Sequence, residues 1–203
     1  MEKLIARELL KIQAVFLSPT KPFTWASGIK SPIYCDNRLI LSNLEVRRKV
    51  ENGLAILIKE KFPDAEMLMG TATAGIAHAA LVAELLDLPM GYVRSDSKKH
   101  GRTNQIEGKC LAKTKVVVIE DLISTAGSSI RVCNVLKEAG IEVLGIISIF
   151  TYGLEKGNQR LQKANIQNFS VTNLDTLLKV AIEEKYINED QKNQIITFRD
   201  NLK

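Results

Sequence analysis

Apolar residues recur at helical spacing over residues 3–17, with Leu4, Ile5, Leu9, Ile12 and Phe16 on one side. The pattern predicts an amphipathic helix terminated by Pro19 and Pro22. Phe23 to Arg38 mixes aromatic residues with Gly28 and Pro32, and reads as short extended pieces and turns. A second helical pattern covers residues 44–61. Beyond it the periodicity alternates. Glu66–Met69 predicts a short strand, followed by the turn Gly70–Gly75 and a helix through Asp87. Met90–Val93 is strand-like, Ser95–Gly108 is polar without apolar periodicity, and Lys115–Glu120 contains the clearest strand, Val116 to Ile119. Ser128–Ala139 predicts a helix closed by Gly140, Val143–Phe150 a buried strand, and Leu174–Lys203 two further helices.

Strands that are apolar throughout, alternating with helices, imply an α/β fold with a mainly parallel central sheet covered by helices. The 203 residues are enough for one domain with a real core, and neither an internal repeat nor a low-complexity segment divides them. Charges interrupt the first eight residues at helical spacing, so they do not read as a signal peptide, and no apolar run is long enough to span a bilayer. Cys35, Cys110 and Cys133 match no zinc spacing, and reduced thiols in a cytoplasmic protein are expected. The net charge of +5 suits a polyanionic ligand. The basic residues are scattered among acids rather than clustered in a tail or a nucleic-acid motif, which favours a phosphorylated small molecule over nucleic acid.

The chemistry concentrates after the clearest strand. Val116–Ile119 runs into the adjacent carboxylates Glu120 and Asp121, then Leu122, Ile123, Ser124, Thr125, Ala126, Gly127 and Ser128, and then a helix. Ligands of open parallel sheets sit at the carboxyl ends of strands. Unpaired N–H groups and the positive dipole end of a helix hold phosphate there. The carboxylates would repel a bare phosphate, so their use is to accept hydrogen bonds from sugar hydroxyls or to hold Mg²⁺ together with substrate oxygens. The plain alternative is a capped helix after an acidic strand end. Gly70 and Gly75 have the glycine spacing of a nucleotide-triphosphate loop, but Ile76 stands where that loop needs lysine, and no G-x-G-x-x-G occurs. The turn Gly70–Gly75 is a second small-residue turn that can offer backbone N–H groups to pyrophosphate, or can simply be a tight turn. His78, just inside the next helix, reads first as a packed histidine.

Residues 116–129 resemble the phosphoribosyl pyrophosphate (PRPP) motif of the type I phosphoribosyltransferases. Tyr92 to Gly101, running on to Ile106–Gly108, looks like the flexible catalytic loop of the orotate phosphoribosyltransferases. Phe23 to Asp36 is similar to the N-terminal hood of the same enzymes, with its F-T-x-x-S-G-x-K-S-P core. The resemblance implies the type I fold, with a hood formed mainly by residues 1–40 and a catalytic loop at 95–108 within one domain. It implies transfer of the phosphoribosyl group of PRPP to orotate, giving orotidine 5′-monophosphate and pyrophosphate. Glu120 and Asp121 would take the ribose hydroxyls, and the turn through Ser128 the 5′-phosphate. Arg94, Lys98, Lys99 and His100 would serve the pyrophosphate and Ser124 the orotate, with Lys30 or the backbone N–H groups around Tyr34 and Cys35 standing in for the family cations this chain lacks. Mg²⁺ would be held mainly by PRPP rather than by protein ligands. The loop would reach the neighbouring site of a homodimer, with Lys98 and His100 acting in trans. Some family members carry lysine where this chain has Ala26 and Ala74, and arginine near the position of Thr151.

The loop stands out without the family. Ser95–Gly108 is long and polar for a connection inside a domain and carries Lys98, Lys99, His100 and Arg102 just after Arg94. It reads as a solvated surface loop or as a lid whose cations stabilise the leaving pyrophosphate. Two competing readings of the chain remain: a phosphoribosyltransferase for a purine or another pyrimidine, and a non-catalytic regulator that binds RNA.

Overall fold

The computed structural model describes residues 1–24, 30–95 and 105–202. Its centre is a six-stranded sheet in the order β10-β9-β8-β5-β6-β7. The strands are β5 (Met67–Thr71), β6 (Met90–Val93), β7 (Ile106–Glu107), β8 (Lys115–Ile123), β9 (Glu142–Thr151) and β10 (Asn168–Asn173). All neighbours run parallel except β7, which returns antiparallel beside β6. The parallel connections are made through α3 (Ala74–Leu86), α4 (Gly127–Glu138) and α5 (Glu155–Lys163).

Alternation along the strands divides the interior in two. Leu68, Val117, Ile119, Ile147 and Ile149 face a layer built from α1 (Glu2–Lys11), α2 (Leu44–Lys61), α3, α6 (Leu174–Glu183) and α7 (Glu189–Asn201). Met67, Met69, Val116, Val118 and Ile146 face α4 and α5 through Val132, Cys133, Leu136 and Leu161. Both faces of the sheet are therefore covered, as the uninterrupted apolar strands require.

The N-terminal segment departs from its pattern. Helix α1 stops at Lys11, Gln13 takes a left-handed φ of 57°, and Val15–Leu17 form strand β1. The proline pair therefore does not end the helix, which has already ended. Val15 and Phe16 are good strand formers, and the antiparallel pairing of Val15–Leu17 with β4 (Ile33–Cys35) outweighs the helical spacing. A second small ribbon joins β2 (Phe23–Thr24) to β3 (Lys30–Ser31), and Phe23 packs against Phe16 and Tyr34 at centroid distances of 5.5 and 5.9 Å. A 3-10 helix, Asn37–Ser42, leads into α2.

Candidate active site

Strand β8 does not stop at its acids. It carries Glu120 and Asp121 inside the sheet and continues through Leu122 and Ile123, which pair with Phe150 and Thr151 of β9. Leu122 and Ile123, expected in the phosphate turn, are thus strand residues, and the Ile123 side chain is buried in the core. The turn proper is Ser124–Ala126, and α4 begins at Gly127. Ala126 adopts φ 59°, ψ 6° as the residue before the helix, a conformation in which glycine costs less. This turn leaves the first N–H groups of α4 facing outward at the carboxyl end of the sheet.

Two supports for the turn come from α5, a helix the apolar pattern did not mark. Gly157 lies so close that a Cβ there would stand 2.4 Å from the Ser124 carbonyl oxygen. Arg160 Nη1 donates to the Thr125 carbonyl oxygen at 3.2 Å. Thr151 is also engaged locally: its Oγ1 donates to the Ile123 carbonyl at 3.2 Å and accepts from the Gly153 N–H at 3.1 Å.

A cleft of about 130 Å³ opens beside the turn. One wall is the Thr71–Ala74 turn after β5; the other is the first part of α4, with Ser128 and Arg131. Glu120 and Asp121 lie between them, and Arg94, Ser95 and Gln105 close the rim. Just past the first wall, Gly75 is demanded by space, since a Cβ there would meet the Ile119 carbonyl oxygen at 2.4 Å and Thr71 Oγ1 at 2.5 Å.

The two carboxylates differ. Glu120 is buried, and its carboxylate links three elements. Oε1 accepts from Thr71 Oγ1 at 2.6 Å and from the Asp121 N–H at 3.1 Å, while Oε2 accepts from Ser129 Oγ at 2.8 Å. Burial pushes its pKa up to about 7, against the opposing hydrogen bond from Thr71 and with the neighbouring Asp121 charge adding to the rise. Asp121 is half-buried and faces the cleft, and its carbonyl oxygen accepts from Asn37 Nδ2 at 2.7 Å. That bond fastens the 3-10 helix, and with it the N-terminal ribbons, to the acidic strand end.

Of the remaining predicted site residues, Arg94 reaches the rim and pairs with Glu107 at 3.6 Å. Lys98, Lys99 and His100 lie outside the described residues, but both described ends of their segment, Ser95 and Gln105, line the cleft, and the Arg94 N–H donates to the Gln105 carbonyl at 2.9 Å. Tyr34, Cys35 and Lys30 do not line this cleft. Cys35 does gather with Tyr34, Tyr152 and Asp121 where β4, β8 and β9 end. Burial pushes the Cys35 thiol well up, with the Asp121 and Asp36 charges adding to it, and burial raises the Tyr152 phenol, with Cys35, Tyr34 and Asp121 adding. Lys30 is exposed on β3. His78 is fully buried, with Nδ1 2.8 Å from Glu51 Oε1, in keeping with a packed histidine. Thr71, Ser129, Arg131, Gly157 and Asn37 were not singled out from the sequence. The hydroxyls of Thr71 and Ser129 sat inside motif segments, whereas nothing near Asn37 or Gly157 in the chain signals their long-range contacts.

A model of the phosphoribosyl transferase domain matches residues 40–188. The orotate phosphoribosyltransferase of Bacillus subtilis (strain 168) is 56% identical to this chain over 201 residues, 99% of this chain and 93% of that protein. That of Listeria innocua is 57% identical over 187 residues, 92% of this chain and 90% of its own length. Among solved structures, the orotate phosphoribosyltransferase of Aeropyrum pernix superposes with a TM-score of 0.78 at 28% identity, covering 91% of this chain and 99% of that one. The Mycobacterium tuberculosis orotate phosphoribosyltransferase in complex with PRPP shares the fold, with a TM-score of 0.67 at 18% identity over 87% of this chain and 98% of that one.

Proposed function

The chain belongs to the orotate phosphoribosyltransferases, which move the phosphoribosyl group of PRPP onto orotate in UMP synthesis, and on that premise we propose how its residues divide the work. The observation that carries the assignment is the pair of carboxylates at the end of β8, set beside the N-terminus of α4 and across a cleft from a turn of small residues.

The turn Ser124–Ser128 holds the 5′-phosphate through the N–H groups of α4 and the hydroxyls of Ser124, Thr125 and Ser128. Leu122 and Ile123 contribute by setting the height of the turn on β9. Asp121 accepts one ribose hydroxyl. Glu120 has already committed Oε1 to two donors, but Oε2 has a lone pair left for the other hydroxyl. The pyrophosphate lies toward Thr71–Ala74 and Arg94, and Lys98, Lys99 and His100 reach it from the segment that leaves and rejoins the rim. As the C1–O bond breaks, the ribose gains positive character that the two carboxylates favour, and the departing pyrophosphate gains charge that the cations favour more than they favoured the ground state. Orotate enters beneath the N-terminal ribbons near Tyr34, Cys35, Lys30 and Ser124 with N1 already deprotonated, and N1 captures C1 from the face opposite the departing pyrophosphate.

Mg²⁺ fits this site as an ion carried by the substrate. Mg²⁺ is commonly bound through substrate phosphates and water with one or two carboxylates, and Asp121 faces the cleft to meet such an ion. When bound, it offsets the charge of the diphosphate. We read residues 1–203 as one domain with the hood at about 1–40, working as a homodimer in the cytoplasm without nucleic-acid or membrane partners. No helix among the described residues is long and apolar enough to cross a membrane.

The test is orotate consumption, followed by ultraviolet absorbance, with PRPP and Mg²⁺ present and each omitted in turn. Loss of orotate only in the complete mixture is expected. Turnover with a purine base instead of orotate would overturn the assignment of the base.

A further inference from the structure

Among its described lining residues the cleft carries little positive charge for a polyanionic ligand. Its floor carries two carboxylates, Glu120 and Asp121, and the Thr71–Ala74 turn contributes no charged side chain. The substrate proposed for it is a polyanion. Two cationic side chains line the cleft among the described residues, Arg94 and Arg131. Arg94 is shared with Glu107 at 3.6 Å. Arg131 projects from the second turn of α4, is solvent-exposed, and makes no ion pair or hydrogen bond with a described residue. It lines the same cleft as Thr73, Ala74, Ser95 and Gln105.

Resting on the phosphoribosyl-transfer reading above, we propose that Arg131 is a substrate-binding residue for the pyrophosphate end of PRPP, supplying from α4 the positive charge that the Thr71–Ala74 turn lacks. A guanidinium matches two phosphate oxygens at once, so it holds a diphosphate with orientation as well as charge. An arginine without an ion-pair partner gives up no interaction within the described chain on binding. The helix N-terminus lies only one turn before it, so the 5′-phosphate at Ser124–Ser128 and the diphosphate at Arg131 fall on successive parts of a single helix, and α4 positions both ends of the substrate together.

The separation of the two ends makes the assignment testable. Arg131→Gln and Arg131→Lys are compared with the unaltered protein by calorimetric binding of pyrophosphate, of ribose 5-phosphate and of PRPP, each with Mg²⁺. Arg131→Gln is expected to weaken pyrophosphate and PRPP binding roughly 10- to 100-fold, the range of a lost hydrogen bond to a charged group. Ribose 5-phosphate binding, which uses only the loop and the carboxylates, should remain unchanged, and Arg131→Lys should recover part of the loss. Unchanged pyrophosphate binding would overturn the proposal. Equal weakening of all three ligands would also overturn it, because it would assign Arg131 to holding α4 in place. The parent reading fails on a different measurement, absence of PRPP-dependent orotate consumption by the unaltered protein, so the two failures are distinguishable.

Discussion

Glu120 shows how one residue can serve both the fold and the chemistry. Its carboxylate ties β5 to α4 through Thr71 and Ser129 and still has one acceptor position toward the cleft. Because burial raises its folded pKa from 4.5 to about 7, the native state holds a proton that the unfolded chain has released. Between those values stability falls as pH rises, since the folded state binds more protons than the unfolded one. Glu120→Gln removes that dependence. Its melting temperature, followed from pH 5 to pH 8, is expected to gain steadily on that of the unaltered protein; parallel curves would show that Glu120 titrates normally. Thr71→Val leaves Oε1 short of its strongest donor, and a loss of about 1–3 kcal/mol in denaturant unfolding at pH 8 is expected. A loss near zero would mean that water replaces the hydroxyl.

At the scale of elements, the phosphate turn is held from behind. Helix α5 approaches at Gly157 with no room for a methyl group, and Arg160 reaches round to the Thr125 carbonyl. Gly157→Ala must push α5 and the turn apart, at a cost of about 1–3 kcal/mol typical of overpacking. The same displacement should raise the KM for PRPP, because the turn's N–H groups no longer converge on one phosphate. Urea unfolding and PRPP-dependent kinetics on one preparation check both effects; a stability loss without a change in KM would detach α5 from substrate binding. The N-terminal elements show another side of element-level behaviour. Residues 15–17 lie in a helical periodicity yet form a strand, because β4 offers them a partner that only the folded chain brings near.

For the molecule as a whole, a homodimer can complete each cleft with the loop of the neighbouring subunit. If Lys98 and His100 act across a homodimer, Lys98→Ala and Asp121→Asn protomers, each inactive alone, should regain activity when unfolded together and refolded, since a mixed dimer contains one cleft with both residues intact. Orotate consumption by the mixture measures this directly. No recovery, with dimers verified by light scattering, would place the loop over its own cleft.

The sequence by itself determined a mainly parallel sheet with helices on both faces, because its central strands are apolar on nearly every residue, whereas the mixed strand β10 and the helix α5 before it carry no such pattern. It also determined the cleft's chemical kind. Adjacent acids followed by a small, hydroxylated turn form a local arrangement, readable over residues 116–129 without knowing any distant neighbour. What it left open depends on contacts between residues far apart in the chain. The local pattern ends β8 at Glu120, whereas Asp121, Leu122 and Ile123 are strand because β9 pairs with this stretch. The division of labour between Glu120 and Asp121 came from Thr71 and Ser129, the support of the turn from Gly157, and the tether of the N-terminal ribbons from Asn37. The tertiary structure decided these because burial, close approach and hydrogen-bond partners are properties of space, and local periodicity records only which face of an element turns inward.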